Sequence, residues 1–375
     1  MSDQRISISL SSIVSILVVV LLILLLSRLQ DLLIVLMISV VLAASIAPIV
    51  NWAERRQMPR WLAVLFVYLA LIGGFVGVGL LIGPTLLTQT ETLITQIPVY
   101  TEALYGRIQD LAARLNSSQP NLVTEFVNPQ ALSNWLIRSG QQLLLRSYGL
   151  TKGIVGGVLE AILVLLISAY MLAGSKSLLD GLTNLFPHPW DRRLRAQVKP
   201  VSQRMGGFIQ GRAIVSIILG VVITIGLSLL GLSQFALALG VFAGATNLIP
   251  FVGPLLGAVP ALLVAISTGG WTWVWVLLLF LIVQNLEGNI LTPLLIGSSV
   301  KLHPLYLLLA VIGGTEVLGV LGALVVPPWV AGAAVLLENL YLRPKAIGEA
   351  RADRSDLPDD ENPSVNSTET PISIS

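Results

Sequence analysis

The sequence predicts an all-α polytopic membrane protein, and three observations predict it. Hydrophobic residues make up 55% of the 375 residues and charged residues only 11%, about half the roughly 25% of a soluble globular chain. Several separate apolar runs reach the roughly 17–25 residues that a helix needs to cross a bilayer. From Ala213 to Leu286 there is no Asp, Glu, Lys, Arg or His, yet Gly244, Pro250, Gly253, Pro254, Gly257, Pro260, Gly269 and Gly270 crowd this run. A soluble core does not need so long an uncharged run, and a plain anchor does not need the prolines. Apolar helices broken inside a bilayer expose backbone groups to a solute.

The elements follow in order. Residues 13–26 form a first membrane helix. This fits better than a cleaved signal peptide, because Arg5 is the only early positive charge and a second apolar run follows at once. After a polar turn at Arg28, Gln30 and Asp31, helix two runs over 32–50. A basic loop, 51–60, leads to helix three at 61–82, where Gly73, Gly74, Gly77 and Gly79 are small enough to let helices approach closely in lipid.

Residues 84–152 are more polar. Leu93, Ile97, Tyr100, Leu104, Ile108, Leu111 and Leu115 repeat at three or four residues, the stripe of an amphipathic helix. Pro98 should kink or restart it. Residues 116–120 break it, and 129–147 make another helix. The stripe has two readings: a helical layer lying on its own membrane domain, or a subunit contact in a homo-oligomer. Helix four covers 153–173. The basic stretch 174–212, with a turn at Phe186–Trp190, should lie along a membrane surface near anionic lipid headgroups. Helix five covers 213–230. A broken segment, 235–268, precedes spans at 271–286, 304–320 and 321–341. Residues 344–375, with few apolar groups, read as a disordered tail.

Placement of charge sets the orientation. The loops 51–60 and 174–212 carry the basic residues, and the positive-inside rule puts both in the cytoplasm. Both termini are then cytoplasmic in a plasma (inner) membrane, and 84–152 lies outside. This works if 235–268 is a re-entrant hairpin that adds no net crossing, for eight crossings in all.

Composition also excludes. The net charge of +2 is too small to argue for nucleic acid as a partner. Without cysteine there are no disulfides, thiolate metal sites or cysteine nucleophiles, and His188 and His303 are too few for a histidine-rich metal site. No Gly-rich Lys motif points to an ATP-driven pump, and neither His-Glu-x-x-His nor Gly-x-Ser-x-Gly points to a hydrolase. We expect no enzyme activity and no cofactor.

Three stretches resemble a known family. Asn247-Leu248-Ile249-Pro250-Phe251-Val252-Gly253-Pro254-Leu255-Leu256-Gly257-Ala258-Val259-Pro260-Ala261 is similar to the signature of the autoinducer-2 exporter family of membrane transporters. So are residues 284–294, Gln-Asn-Leu-Glu-Gly-Asn-Ile-Leu-Thr-Pro-Leu, with Gly297, Val300, Leu302, His303 and Pro304 behind them. Gly313-Gly314 and Gly319-Val320-Leu321-Gly322, ahead of Pro327, complete the pattern. The resemblance implies a permease with about eight membrane helices, and a homo-oligomer with a pentamer as the expected form. It also implies one of two cargoes: a signalling furanone, or sodium exchanged for protons.

The candidate pathway for a small polar solute or ion draws on both motifs. Pro250, Pro254 and Pro260 each remove a backbone donor, and Gly253 and Gly257 lie between them. Asn247 stands just ahead, to cap a broken helix or bind solute. Glu287 is the ionisable group nearest the run, and an acid inside a bilayer is costly and usually functional; the alternative puts it in the headgroups. Gln284, Asn285, Asn289 and Thr292 flank it, with Asn285 and Asn289 on one helix face. Glu316 is a second candidate acid. Arg212 reads as a headgroup anchor of helix five, or with Gln210 and Gly211 as a gate. Three functions stand open: a secondary transporter of a small polar solute, a sodium/proton antiporter, and a non-transporting membrane scaffold.

Overall fold

The computed structural model describes residues 29–115, 150–296 and 303–345, and these hold helices and turns with no strand. The helices are α1 (Gln30–Arg55), α2 (Arg60–Leu115), α3 (Leu150–Ala173), α4 (Ser175–Thr183), α5 (Trp190–Leu227), α6 (Ser233–Thr246), α7 (Val252–Thr268), α8 (Thr272–Leu286) and α9 (Pro304–Leu337). A π-helical stretch, Glu287–Ile296, continues α8, and another, Glu338–Leu342, follows α9. Helix throughout is what an apolar chain in lipid must adopt, since every backbone group has to be satisfied inside its own segment. Helix one, residues 116–149 and nearly all of the tail expected at 344–375 lie outside the described residues.

Length and composition qualify five stretches among the described residues as membrane spans, or six if the pair α3–α4, bent by 78°, counts as one. Two of the five, Trp190–Thr246 and Pro304–Lys345, contain a reversal of direction.

A first group comprises α1, the start of α2, and α3. Val50 and Ala63 are fully buried between them, with Val64, Tyr68 and Leu172 close behind. The Tyr68 hydroxyl donates to Ser168 Oγ at 2.7 Å, and Ser39 Oγ to the Val164 carbonyl at 3.2 Å. Arg60 Nε caps the end of α3 by donating to the Leu172 carbonyl at 2.9 Å.

The second group is a set of antiparallel helices, α5 to α8. The chain leaves α5 through Gly231 at φ 86°, a left-handed conformation that suits glycine, and α6 returns along α5. Glycines set their separation: a side chain on Gly244 would come 2.8 Å from the Ser216 carbonyl. At 247–251 the chain turns again, and α7 packs back on α6. A Cβ on Gly257 would lie 2.9 Å from Ala243 Cα, and one on Gly253 would strike the Thr246 carbonyl. The segment expected at 235–268 is therefore a hairpin of two helices, as the charge count favours. Gly269 and Gly270, both at positive φ, make the last turn into α8.

Helix α9 also doubles back. Gly319 has φ 62° and ψ −146°, and a Cβ on Gly314 would strike the Gly322 carbonyl. In a straight helix residues eight apart are separated by about 12 Å, so the two arms fold together. The break falls where the sequence divides 304–320 from 321–341.

Pro98 does not restart the helix: α2 stays helical through Pro84 and Pro98. Each proline removes one ladder bond, and packing holds the helix on both sides, with Tyr100 edge-on to Phe235 at 6.3 Å and Gln89 Oε1 accepting from the Ala238 amide at 2.9 Å. Leu93 and Tyr100 of the stripe thus lie on α6 and α7, which leaves a subunit contact open as well. From Trp190 the basic stretch is the first half of α5, whose basic and apolar halves form one continuous helix. Among the described residues no helix approaches Gly73, Gly74, Gly77 or Gly79, where a Cβ would meet nothing within 4 Å.

Candidate functional site

The uncharged run begins after Arg212 and ends before Glu287, and folding brings those two residues together. Four antiparallel helices lie between them. An even number of passes returns the chain to the level at which it set out, so the first and last charges meet. Arg212 Nη1 donates to Glu287 Oε1 at 2.7 Å, and both side chains are buried, at 7% and 5% relative exposure. Asn247 Nδ2 donates to the same oxygen at 3.4 Å from the turn between α6 and α7. Ser216, one turn beyond Arg212 on α5, is buried beside them in sequence.

Local structure aims each group. Asn247 ends α6, with its amide bonded to the Ala243 carbonyl at 3.0 Å. Val252 N–H then donates to the Pro250 carbonyl at 2.8 Å around Phe251, which has φ 65° and ψ −48°. This is the rare, strained form of the γ-turn, and for a non-glycine residue such a conformation costs on the order of 1–3 kcal/mol. Glu287 opens the π-helical stretch, ahead of Gly288 and Pro293. A change from α to π winding turns the following side chains around the axis, and such stretches recur at functional sites.

Stability does not explain this arrangement. Burying an ion pair gains little over well-packed apolar groups, and often loses by 1–4 kcal/mol on the order of magnitude. Arg212 Nε, Ser216 Oγ and Glu287 Oε2 are buried without a hydrogen-bond partner among the described residues. Each such group costs about 1–3 kcal/mol. What the cluster does hold is unused capacity: one guanidinium donor, one carboxylate acceptor and one hydroxyl that serves as either.

The other residues marked by the sequence divide. Pro250 is buried in the turn, and of the three prolines marked in this run it alone coincides with a break. Pro254 sits in the first turn of α7, where its missing N–H would lack a helical partner anyway. Pro260 leaves α7 helical on to Thr268. Gly253 and Gly257 pack α7 on α6. Gln284, Asn285 and Asn289 are exposed, and Asn289 Nδ2 donates to Asn285 Oδ1 at 2.9 Å, away from the buried face that holds Glu287. Thr292 is half-buried, and Glu316 is exposed near the Gly319 turn without a partner among the described residues. Arg212 is a correction: it is no headgroup anchor but the buried partner of Glu287. Ser216 gave no signal in the sequence. No group of three or more His, Asp or Glu that could hold a metal ion occurs among the described residues.

Comparison with known proteins agrees along most of the chain. Residues 13–342 match the family described as "AI-2E family transporter". YrrI of Bacillus subtilis (strain 168), named as a candidate transport protein, is 29% identical over 316 residues, covering 82% of this chain and 86% of its own. YueF of the same organism, named likewise, is 28% identical over 331 residues, covering 86% and 88%. PerM of Escherichia coli (strain K12), named as a candidate permease, is 26% identical over 290 residues, covering 76% and 80%.

Proposed function

Because the chain belongs to the AI-2E family of transporters, we propose that it is a secondary transporter moving a small polar solute past the cluster of Arg212, Ser216, Asn247 and Glu287. The observation that carries this reading is a buried ion pair whose own Arg212 Nε and Glu287 Oε2 have no partner among the described residues, with Ser216 Oγ, one helical turn from Arg212, also unpartnered. Gln210 donates to the Ser45 carbonyl, which fixes the depth of that level of α5. Ser45 stands about ten residues, or ~15 Å, from Arg55 at the basic end of α1. Arg212 stands about nineteen residues, or ~28 Å, from the Gly231 turn. A hydrocarbon layer about 30 Å thick that starts near Arg55 has the pair well inside it, at the depth where secondary transporters bind their cargo.

In this mechanism the α6–α7 hairpin moves against α1 and α3. A solute rich in hydroxyls, such as a furanone polyol, donates to Glu287 Oε2 and accepts from Arg212 Nε. A second solute hydroxyl donates to Glu287 Oε1 in place of the weak 3.4 Å bond from Asn247 and so frees the hairpin tip. Empty and loaded forms both keep the charges paired, which avoids an isolated buried charge in either. The test is flux into proteoliposomes. Glu287→Gln and Arg212→Gln should each lower solute flux at least about tenfold, the factor given by 1.4 kcal/mol, and either variant transporting like the parent would overturn the reading.

A sodium/proton antiporter is the second reading, favoured by a buried carboxylate with one free oxygen. It requires sodium to dequench a pH dye in the vesicles while polar solutes do nothing. The scaffold reading calls for a dry, satisfied interior, and the unpartnered atoms weigh against it.

A further inference from the structure

A second feature lies at the basic end of the helices, apart from the ion pair. A cleft of about 740 Å³ opens between α1, α3, α4 and α5. Its walls are apolar, with Ala43, Ala47, Leu179 and Val201 among them, and Arg55 and Lys199 stand on its lining. At roughly 30 Å³ per water-sized group, it holds on the order of 25 such groups, enough for one hydrocarbon chain and part of another.

Charge bookkeeping singles out two of the nearby cations. Glu54 takes up Arg60 at 2.5 Å and Lys176 at 3.3 Å. Arg55 and Lys199 have no acidic partner among the described residues. They come from different helices and both line the cleft. The surroundings are those of a membrane interface. Helix α4 leaves α3 at 78° and keeps Leu178 and Leu182 exposed, the habit of a helix lying in the plane of the headgroups. Trp52, also on the lining, carries Arg56 over its ring at 5.2 Å, an aromatic anchor of the kind found at headgroup depth.

We propose that this cleft binds one anionic phospholipid of the adjoining leaflet, its hydrocarbon chain between α1 and α5 and its phosphate between Arg55 and Lys199. An apolar slot with a cationic mouth at the interface fits an amphiphile with a negative head. It does not fit a polar solute, which would leave the walls unused, and it holds a lipid without net charge less tightly, because the two cations then meet no net negative charge. The inference does not depend on the transport reading.

Native mass spectrometry of the full chain in mild detergent tests it, with phosphatidylglycerol and phosphatidylcholine as probes. Phosphatidylglycerol should bind in preference on the order of tenfold. The double variant Arg55→Gln/Lys199→Gln changes two exposed residues and should lose that preference while keeping phosphatidylcholine binding. Ala47→Trp, filling the slot, should lower binding of both lipids, with monodisperse elution showing that it folds. Glycerol 3-phosphate should not compete. Equal binding of the two lipids, a preference that survives the double variant, or competition by glycerol phosphate overturns the proposal. So does an Ala47→Trp variant that changes oligomeric state but keeps its lipid, since a second copy would then fill the cleft.

Discussion

The α6–α7 hairpin and the reversal inside α9 are built alike and end differently. Each brings two apolar helices so close that glycine is needed at the contact: Gly253 against the Thr246 carbonyl, Gly314 and Gly322 against each other. At the tip of α9 the turn is made by Gly319, for which φ 62° is free of strain. Glu316 near that turn is exposed and without a partner among the described residues. At the tip of α6–α7 the turn rests on Phe251 at φ 65°, and Asn247 reaches the buried Glu287. One reversal is relaxed and ends at the surface. The other is strained and is held by a polar contact that is itself long. A broken apolar run is therefore not a site by itself; a polar partner across the tip makes the difference.

That comparison can be broken or sharpened by substitution. The largest effect should be common to both hairpins: Gly253→Val and Gly322→Val should each abolish monodisperse, folded protein on size exclusion, because backbone stands where the side chain would go. Survival of either would mean that the hairpin is looser than drawn. Charge should then separate the two. Arg212→Gln leaves Glu287 buried and unpaired, a loss of about 3–5 kcal/mol in unfolding experiments, and adding Glu287→Gln should restore much of it. Glu316→Gln, in the other hairpin, should stay within about 0.5 kcal/mol. Next, Phe251→Gly should raise stability by about 1 kcal/mol through relief of strain while lowering flux; a destabilised variant would show that the Phe251 ring, half exposed, matters more than its backbone. The smallest effect belongs to α2, where Gly77→Ala meets no neighbour among the described residues and should cost nothing, or gain about 0.5–1 kcal/mol.

Much of this was legible in the sequence. The uncharged run, its breakers and the acid at its end are composition read in order, and they marked Asn247 and Glu287. The helical hairpin at 235–268 followed from an even number of crossings demanded by charge. Arg212 was not legible as a site residue. An arginine at the edge of an apolar run is what a headgroup anchor looks like, and only the pairing of helices shows that both edges of the run return to one place. The available signal was the opposite sign of the two bracketing charges. Pro254 and Pro260 misled for a related reason: proline breaks a helix by its position in the turn, and sequence does not show which turn starts at Val252. Pro84 and Pro98 gave way to packing, because contacts of Gln89 and Tyr100 with α6 outweigh one lost bond each.

Helix α2 deserves to be considered as a mechanical part. It is helical without a break from Arg60 to Leu115. Tyr68 fastens it to α3, and Gln89 and Tyr100 fasten it to α6, with the stretch between them free of any neighbour at its glycines. Tyr68 and Tyr100 are about 48 Å apart along it. A pivot of about 5° at Tyr68 sweeps the far attachment through roughly 4 Å over that length. A lever of this ratio means that α6 cannot shift by more than such a distance unless the rod swings with it or lets go. A spin-label pair on α2 and α3, one near Tyr68 and one beyond Gly83, would record which.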